Sequence, residues 1–285
     1  MKRFNVIVPL TLKELLKLKS RYKDKARIIA GGTDNLVRWK DNIGVPDTAI
    51  SIMKIKELKA INKKGNTISI GATCTFTDII ESKIVNKYGS VLVQACREIG
   101  AVQIRNVGTI GGNIANASPA GDTIPPLMVL NAKIKVISLK RSREIPITEF
   151  FTGPGKTVLK SDEIIEGIYF QKMEKDDKSF FLKIGPRRAQ AISKVSSCGI
   201  VRLDRNKRVK KVWLALGAVA PTVIRLNKLE DYLQNKVITD AILQQTQKQA
   251  SLLSIPISDI RSTAEYRKHI AGVLIRRGLE MIGKA

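Results

Sequence analysis

Gln103-Ile104-Arg105-Asn106-Val107-Gly108-Thr109-Ile110-Gly111-Gly112-Asn113-Ile114-Ala115-Asn116-Ala117-Ser118-Pro119-Ala120-Gly121-Asp122 is the stretch on which the reading of this chain turns. Gly111 and Gly112, flanked by Thr109 and Asn113, put no side chain between their backbone amides and a ligand, an arrangement suited to an anion. A second run of the same character, Ala30-Gly31-Gly32-Thr33-Asp34-Asn35, follows Arg27-Ile28-Ile29, an apolar β-favouring stretch that reads as the end of a strand. Two such loops are expected to grip one large ligand from two sides.

Neither run fits the common nucleotide signatures. A dinucleotide fingerprint needs Gly-x-Gly-x-x-Gly between a strand and a helix, and here the glycines are adjacent. Gly155-Lys156-Thr157 imitates the end of a phosphate-binding P-loop, but the glycine required five positions earlier is Phe150, so the segment reads as an ordinary loop after Pro154.

At 285 residues the chain exceeds one compact core, and 44% hydrophobic residues suit a globular protein of two domains. No stretch approaches the roughly 18 consecutive apolar residues of a membrane span, and Met1-Lys2-Arg3-Phe4 leads into Pro9 without an apolar signal core, so a cytoplasmic protein is expected. The three cysteines, Cys74, Cys96 and Cys198, are far apart and form no Cys-x-x-Cys pair, which argues against an iron-sulfur cluster within the chain. His269 is the single histidine and sits in Arg267-Lys268-His269-Ile270, expected on a helix surface. No metal site and no Ser/His or Cys/His pair follows from this composition, so chemistry is expected from a bound cofactor.

A formal charge of +25, from 50 basic and 25 acidic residues, brings nucleic acid to mind as a partner. Against that partner, aromatic residues are only 5%, and no helix-turn-helix, zinc-finger or aromatic RNA-binding signature is present. The charge reads mainly as a solvated surface, secondarily as complementarity to acidic partner subunits or an anionic cofactor.

Thr11-Leu12-Lys13-Glu14 is a capping box opening a helix with Leu12, Leu15, Leu16 and Lys19 on one side, in a short α/β unit that ends near Ala49 to Ile52. A second unit starts with the alternating strand Asn66 to Gly71, continues through helices around Ile79 to Val85 and Val91 to Ile99, and includes strands near Ile134 to Leu139 and Ile164 to Phe170. Met173-Glu174-Lys175-Asp176-Asp177-Lys178 reads as a charged connector. Beyond it come strands near Phe180 to Ile184, Ile192 to Leu203 and Lys211 to Val219, then helices around Asp240 to Leu253 and Glu265 to Ile282. The expected class is α+β: residues 1–173, in subdomains of about 1–55 and 56–173, then an α+β domain over 174–285 with an antiparallel sheet and helices.

The two glycine runs resemble the Ala-Gly-Gly-Thr-Asp and Thr-Ile-Gly-Gly-Asn loops of the FAD-binding (medium) subunits of the molybdenum hydroxylases, the group of xanthine, carbon monoxide and nicotinate dehydrogenases. The likeness continues through Ser118-Pro119-Ala120-Gly121-Asp122. It extends into Lys183-Ile184-Gly185-Pro186-Arg187-Arg188-Ala189, similar to that family's Lys-x-Gly-x-Arg-x-Ala. Asp259-Ile260-Arg261-Ser262 and Tyr266-Arg267 resemble its tail.

The resemblance implies a PCMH-type FAD-binding domain of two α/β subdomains, followed by a domain of the CO dehydrogenase flavoprotein type. It also implies that Ala30, Gly31, Gly32, Thr33, Asp34 and Asn35, with Thr109, Gly111, Gly112 and Asn113, wrap the FAD pyrophosphate, chiefly through backbone N–H groups and the side chains of Thr33, Thr109 and Asn113. Asp122 would orient the adenosine or pyrophosphate end, while Ile165 and Lys183 would lie close to the flavin ring system. Ile99 stands where some relatives place an aromatic residue against the cofactor.

The implied activity is that of an oxidoreductase subunit without catalytic residues or metal ligands of its own. Electrons would come from the [2Fe-2S] clusters of an iron-sulfur subunit, fed by a molybdopterin-binding subunit, in what is expected to be a dimer of heterotrimers. They would pass to an external acceptor. The alternative on the same scaffold is a self-contained FAD-dependent oxidoreductase, which needs a substrate acid or base at the flavin; the sequence displays no histidine or carboxylate pair obviously placed for that work.

Overall fold

A computed structural model describes residues 2–284. It opens with β1 (Asn5–Ile7), α1 (Leu12–Tyr22), β2 (Ala26–Ile29), the short helix α2 (Asn35–Lys40) and β3 (Thr48–Ser51). The Thr11 hydroxyl caps α1 by accepting from the Glu14 N–H at 3.2 Å, while the Glu14 carboxylate accepts from the Leu10 N–H at 2.9 Å rather than from Thr11. Leu15 and Lys19 are buried on one face of α1, and the Lys19 ammonium donates to the Lys23 carbonyl at 2.9 Å, satisfying the helix end. The strands pair in parallel in the order β1-β3-β2. Parallel neighbours require crossovers, and α1 and α2 lie in the connections.

The second unit begins with the hairpin β4 (Ile61–Lys64) and β5 (Thr67–Gly71). Then come α3 (Phe76–Glu81), α4 (Lys83–Tyr88), α5 (Ser90–Arg97), α6 (Val102–Val107), α7 (Ile110–Asn116) and α8 (Ile124–Val129). It closes with β6 (Lys133–Ile137), β7 (Ser142–Pro146), α9 (Ile147–Phe150), β8 (Phe151–Gly153), β9 (Lys156–Thr157) and β10 (Ile164–Gln171). The sheet is antiparallel in the order β4-β5-β10-β6-β7. The helix expected from Ile79 to Val85 is two helices, because the Ser82 hydroxyl accepts from the Val85 N–H at 3.3 Å and starts α4 anew. Gly155, expected in a plain loop, is the turn of the β8–β9 hairpin, with φ +68.

The third part comprises β11 (Asp177–Ile184), β12 (Val195–Leu203), β13 (Val209–Gly217), β14 (Ile224–Arg225), α10 (Asn227–Leu233), α11 (Asp240–Leu253) and α12 (Ala264–Lys284). Asp177 and Lys178, expected in the connector, belong to β11. The Arg202 guanidinium of β12 holds both Asp177 carboxylate oxygens at 2.8 and 3.0 Å across the ladder, extending the strand to that point. Its antiparallel sheet is ordered β11-β12-β13-β14, and β12 is buried on both faces from Val195 to Val201. Phe180 joins the cluster formed with Leu274, Ile275 and Leu279 of α12, and its neighbour Phe181 joins the main cluster with Leu92 of α5 and Leu127 of α8. The period of two along β11 thus seats one sheet against both halves of the chain.

Candidate functional site

The two glycine runs meet. A Cβ on Gly31 would overlap the Val107 carbonyl at the end of α6, so this position lets one loop lie directly on the other. Gly32 adopts φ +72, turning the chain into α2. Asn116 of α7 donates through Nδ2 to Asp34 at 3.2 Å, which ties the loops a second time. The Asn35 side chain donates back to the Ile28 carbonyl at 3.4 Å, and Ala30, half-buried, ends the turn out of β2. The backbone N–H groups of Gly31, Gly32, Thr33, Asp34 and Asn35 have no acceptor among the described residues. They form a concentration of free donors beside the second loop, as an anion requires.

The second run departs from expectation. The Gly111 N–H donates to the Ala72 carbonyl at 2.9 Å and the Gly112 N–H to the Thr109 hydroxyl at 3.1 Å, so both amides are already bonded within the fold. A Cβ on Gly111 would lie 2.6 Å from the Ala72 Cβ and carbonyl oxygen. Gly111 is therefore a packing glycine that seats α7 against the end of β5, while Gly112 is exposed and would meet only the Thr109 hydroxyl. Among the described residues, the donors left unpaired on this loop are the Thr109 N–H and hydroxyl hydrogen and the Asn113 side-chain amide. Asn113 is oriented by the Thr123 hydroxyl, which donates to its Oδ1 at 2.6 Å.

Asp122 and Lys183 come together. The Lys183 ammonium of β11 donates to Asp122 Oδ2 at 2.6 Å and to the Glu98 carbonyl at 2.9 Å, and the Ser193 hydroxyl donates to Asp122 Oδ1 at 2.6 Å. Burial pushes the Asp122 carboxyl above the ordinary carboxylate range, with the Lys183 charge and the two hydrogen bonds pulling against it. Asp122, implied at the adenosine or pyrophosphate end, and Lys183, implied beside the ring system, are thus joined by a direct ion pair. Glu98, Lys183, Ile184 and the turn from Gly185 to Ala191 line a cavity of about 440 Å³, with Arg187 and Arg188 on that turn. Ile165 lies in β10, 6% exposed within the main core beside a bulge in the β10–β6 ladder, and makes no part of the polar cluster. Ile99 is half-buried and packs against the same core.

The matches to known proteins agree with this geometry along the chain. Residues 2–170 match the model of the FAD binding domain in molybdopterin dehydrogenase, and residues 180–282 match that of the CO dehydrogenase flavoprotein C-terminal domain. The chain belongs to the FAD-binding medium subunits of the molybdenum hydroxylases. It is 37% identical over 208 residues to the nicotinate dehydrogenase FAD-subunit of Eubacterium barkeri, covering 72% of this chain and 70% of that one. It is 32% identical over 255 residues to the xanthine dehydrogenase FAD-binding subunit of Escherichia coli O157:H7, covering 89% and 87%. A solved carbon monoxide dehydrogenase chain from Hydrogenophaga pseudoflava superposes with a TM-score of 0.94 at 28% identity, covering 98% of this chain and 96% of that one.

Within this medium-subunit fold the remaining motif residues have structural work. Asp259 accepts from the Arg261 N–H at 2.8 Å and from the buried Arg267 guanidinium at 2.6 Å, fastening the tail to α12. Cys74, Cys96 and Cys198 are buried free thiols, and burial pushes Cys74 up to about 11. His269 is exposed on α12, and no helix among the described residues is long and apolar enough to cross a membrane. Sequence reasoning missed Ser193, Asn116 and Thr123. The one available signal for Ser193 was that a strand returning after Gly185-Pro186 would bring it back beside Lys183.

Proposed function

We propose that this chain is the electron-relay subunit of its molybdenum hydroxylase, taking electrons from the [2Fe-2S] clusters of an iron-sulfur subunit and passing them to an external acceptor. The observation that carries the reading is the row of unpaired amides from Gly31 to Asn35, set against the second loop and on the same chain as the buried Lys183–Asp122 pair. Such a row fits a pyrophosphate, which offers several anionic oxygens to one concave backbone. Ala30 to Asn35 would hold it from one side, and Thr109 and the Asn113 amide from the other. Gly111 and Gly112 would shape the loop rather than donate.

Bound FAD supplies the capacity to accept electrons singly and release them singly or as a pair. The residues bind, orient and screen. Lys183, fixed by Asp122 and the Glu98 carbonyl, would present positive charge to the ring system and favour its electron-rich state, with Ile165 giving an apolar wall. Residues 1–173 would form the FAD-binding part and 174–285 the domain that completes the site with Lys183. Molybdopterin would reside on a large partner subunit, in a dimer of heterotrimers in the cytoplasm.

Three measurements test this. Calorimetry on the purified chain is expected to favour FAD over FMN, which lacks the pyrophosphate; equal affinities would remove the role of the first loop. Co-purification of the native complex with metal analysis is expected to find molybdenum and iron with this chain. Substrate oxidation by the lone chain, free of metal, at the rate of a complete enzyme would replace the relay with a self-contained flavin oxidoreductase.

A further inference from the structure

We propose that Ser193 is a positioning residue: by holding Oδ1 of Asp122 it fixes the carboxylate that in turn fixes the Lys183 ammonium at the site. For its effect on a bound cofactor the inference rests on the reading of Lys183 as a group beside the flavin. Its geometry stands on the chain alone.

Ser193 is 1% exposed and its hydroxyl donates to Asp122 Oδ1 at 2.6 Å, while Lys183 donates to Oδ2 of the same carboxylate at 2.6 Å. Lys183 and Ser193 stand on the two sides of one turn. The Lys194 N–H donates to the Ile184 carbonyl at 2.8 Å and closes the base of that turn, and Ile184 and Val195 are partners in the β11–β12 ladder. Asp122, which comes from the segment between α7 and α8, is therefore gripped from both ends of the turn that lines the cavity.

Only Lys183 and Ser193 donate to Asp122 among the described residues. The other charged or titratable groups around it are the Glu98 carboxylate and the Cys96 thiol, both on the side of α5, while Arg187 and Arg188 line the cavity beside Lys183. Burial already favours the neutral carboxyl at Asp122. A hydroxyl donated to a charged oxygen favours the carboxylate, so removing it shifts the balance towards protonation. Once Asp122 is neutral, Lys183 keeps the Glu98 carbonyl but loses its counter-charge, and the net charge beside the cavity becomes more positive.

The test is Ser193→Ala in the full chain, with Ser193→Thr as the conservative partner. Carbon-13 NMR of the Asp122 carboxyl, recorded on protein without flavin, is expected to place its protonation about one pH unit higher in Ser193→Ala than in the native chain, a tenfold gain in proton affinity. Ser193→Thr is expected to restore the native titration. In protein loaded with FAD, the reduction potential of Ser193→Ala is expected to rise above the native value in the pH window between the two carboxyl titrations, where Asp122 is neutral in the variant and charged in the native chain, and to converge with it on either side. If Ser193→Ala does not fold, Ser193→Cys, a weaker donor of similar size, is expected to shift the carboxyl in the same direction. Coincident carboxyl titrations in native and variant protein overturn the proposal and leave the FAD assignment standing. Failure of the native chain to bind FAD overturns that assignment, while the carboxyl titration still decides the role of Ser193.

Discussion

Lys183 and Asp122, 61 positions apart in sequence, form the one ion pair among the described residues in which both side chains are under a tenth exposed. A buried pair of this kind adds little net stability as a whole, because desolvation offsets its attraction, but losing one partner leaves the other charge uncompensated. Its place at a cavity lined by the Gly185 to Ala191 turn makes it the electrostatic centre of the candidate site.

Lys183→Met is therefore expected to lower stability by about 3 kcal/mol at neutral pH. The double variant Lys183→Met/Asp122→Asn should recover most of that loss in a denaturant titration. A carboxyl whose folded pKa is raised favours folding below its unfolded value, and that contribution is lost as pH rises through the folded value. The deficit of the single variant should accordingly shrink on acidification. In FAD-loaded protein the same substitution should lower the flavin potential; no change would return Lys183 to a purely structural role.

The two adjacent glycines should behave differently. Gly111→Ala places a methyl group against Ala72 and is expected to cost about 1–3 kcal/mol, read as a fall in Tm. At Gly112 an added Cβ meets only the Thr109 hydroxyl, and Gly112→Val is expected to leave Tm within a few degrees while flavin retention is lost, read from the flavin-to-protein absorbance ratio of the purified chain. Full retention in Gly112→Val would separate this loop from the cofactor.

At the tail, burial works against the Asp259 carboxylate, yet the Arg261 N–H and the Arg267 guanidinium hold it down to about 2. A depressed carboxyl contributes stability above its unfolded pKa, and that contribution is lost as pH falls through the folded value. Asp259→Asn should be less stable than native by about 3 kcal/mol at neutral pH, since it leaves Arg267 buried without its anion. The two unfolding curves should approach each other between about pH 4 and pH 2.

Arg225 pairs with Glu230 and also donates to the Met128 carbonyl at 2.9 Å and to Asn131 at 2.8 Å, joining the edge of the last sheet to the end of α8. A lysine cannot reproduce that fork. Arg225→Lys should cost about 1–3 kcal/mol in chemical denaturation, and stability equal to native would show that the charge alone suffices.

Local signals were legible wherever one segment contained them. Thr11 announced α1, and the alternation from Asn66 to Gly71 announced β5. The run from Asp240 to Leu253 gave α11 with its bounds, capped by Thr239. The break at Ser82 was missed because its hydroxyl competes with a helix that the surrounding apolar spacing would otherwise continue. The glycine runs marked the site, yet the function of Gly111 was not readable, since Ala72, which forbids a side chain there, lies on another element. Asp122, Lys183 and Ser193 could each be ranked from sequence only as solitary residues. Their meeting depends on where a sheet from the last part of the chain settles against α5 and α8, which no local pattern encodes.

That meeting has a consequence for how the protein is made. The carboxylate of Asp122 is synthesised well before the two groups that restrain it, and both are supplied by a strand and a turn that pair only after β12 has been added. While the chain is still emerging from the ribosome, the first glycine loop can be complete and the cavity beside Lys183 cannot. A product truncated before β12 would thus carry the first glycine loop without the cluster of Lys183, Asp122 and Ser193 that the last sheet brings together.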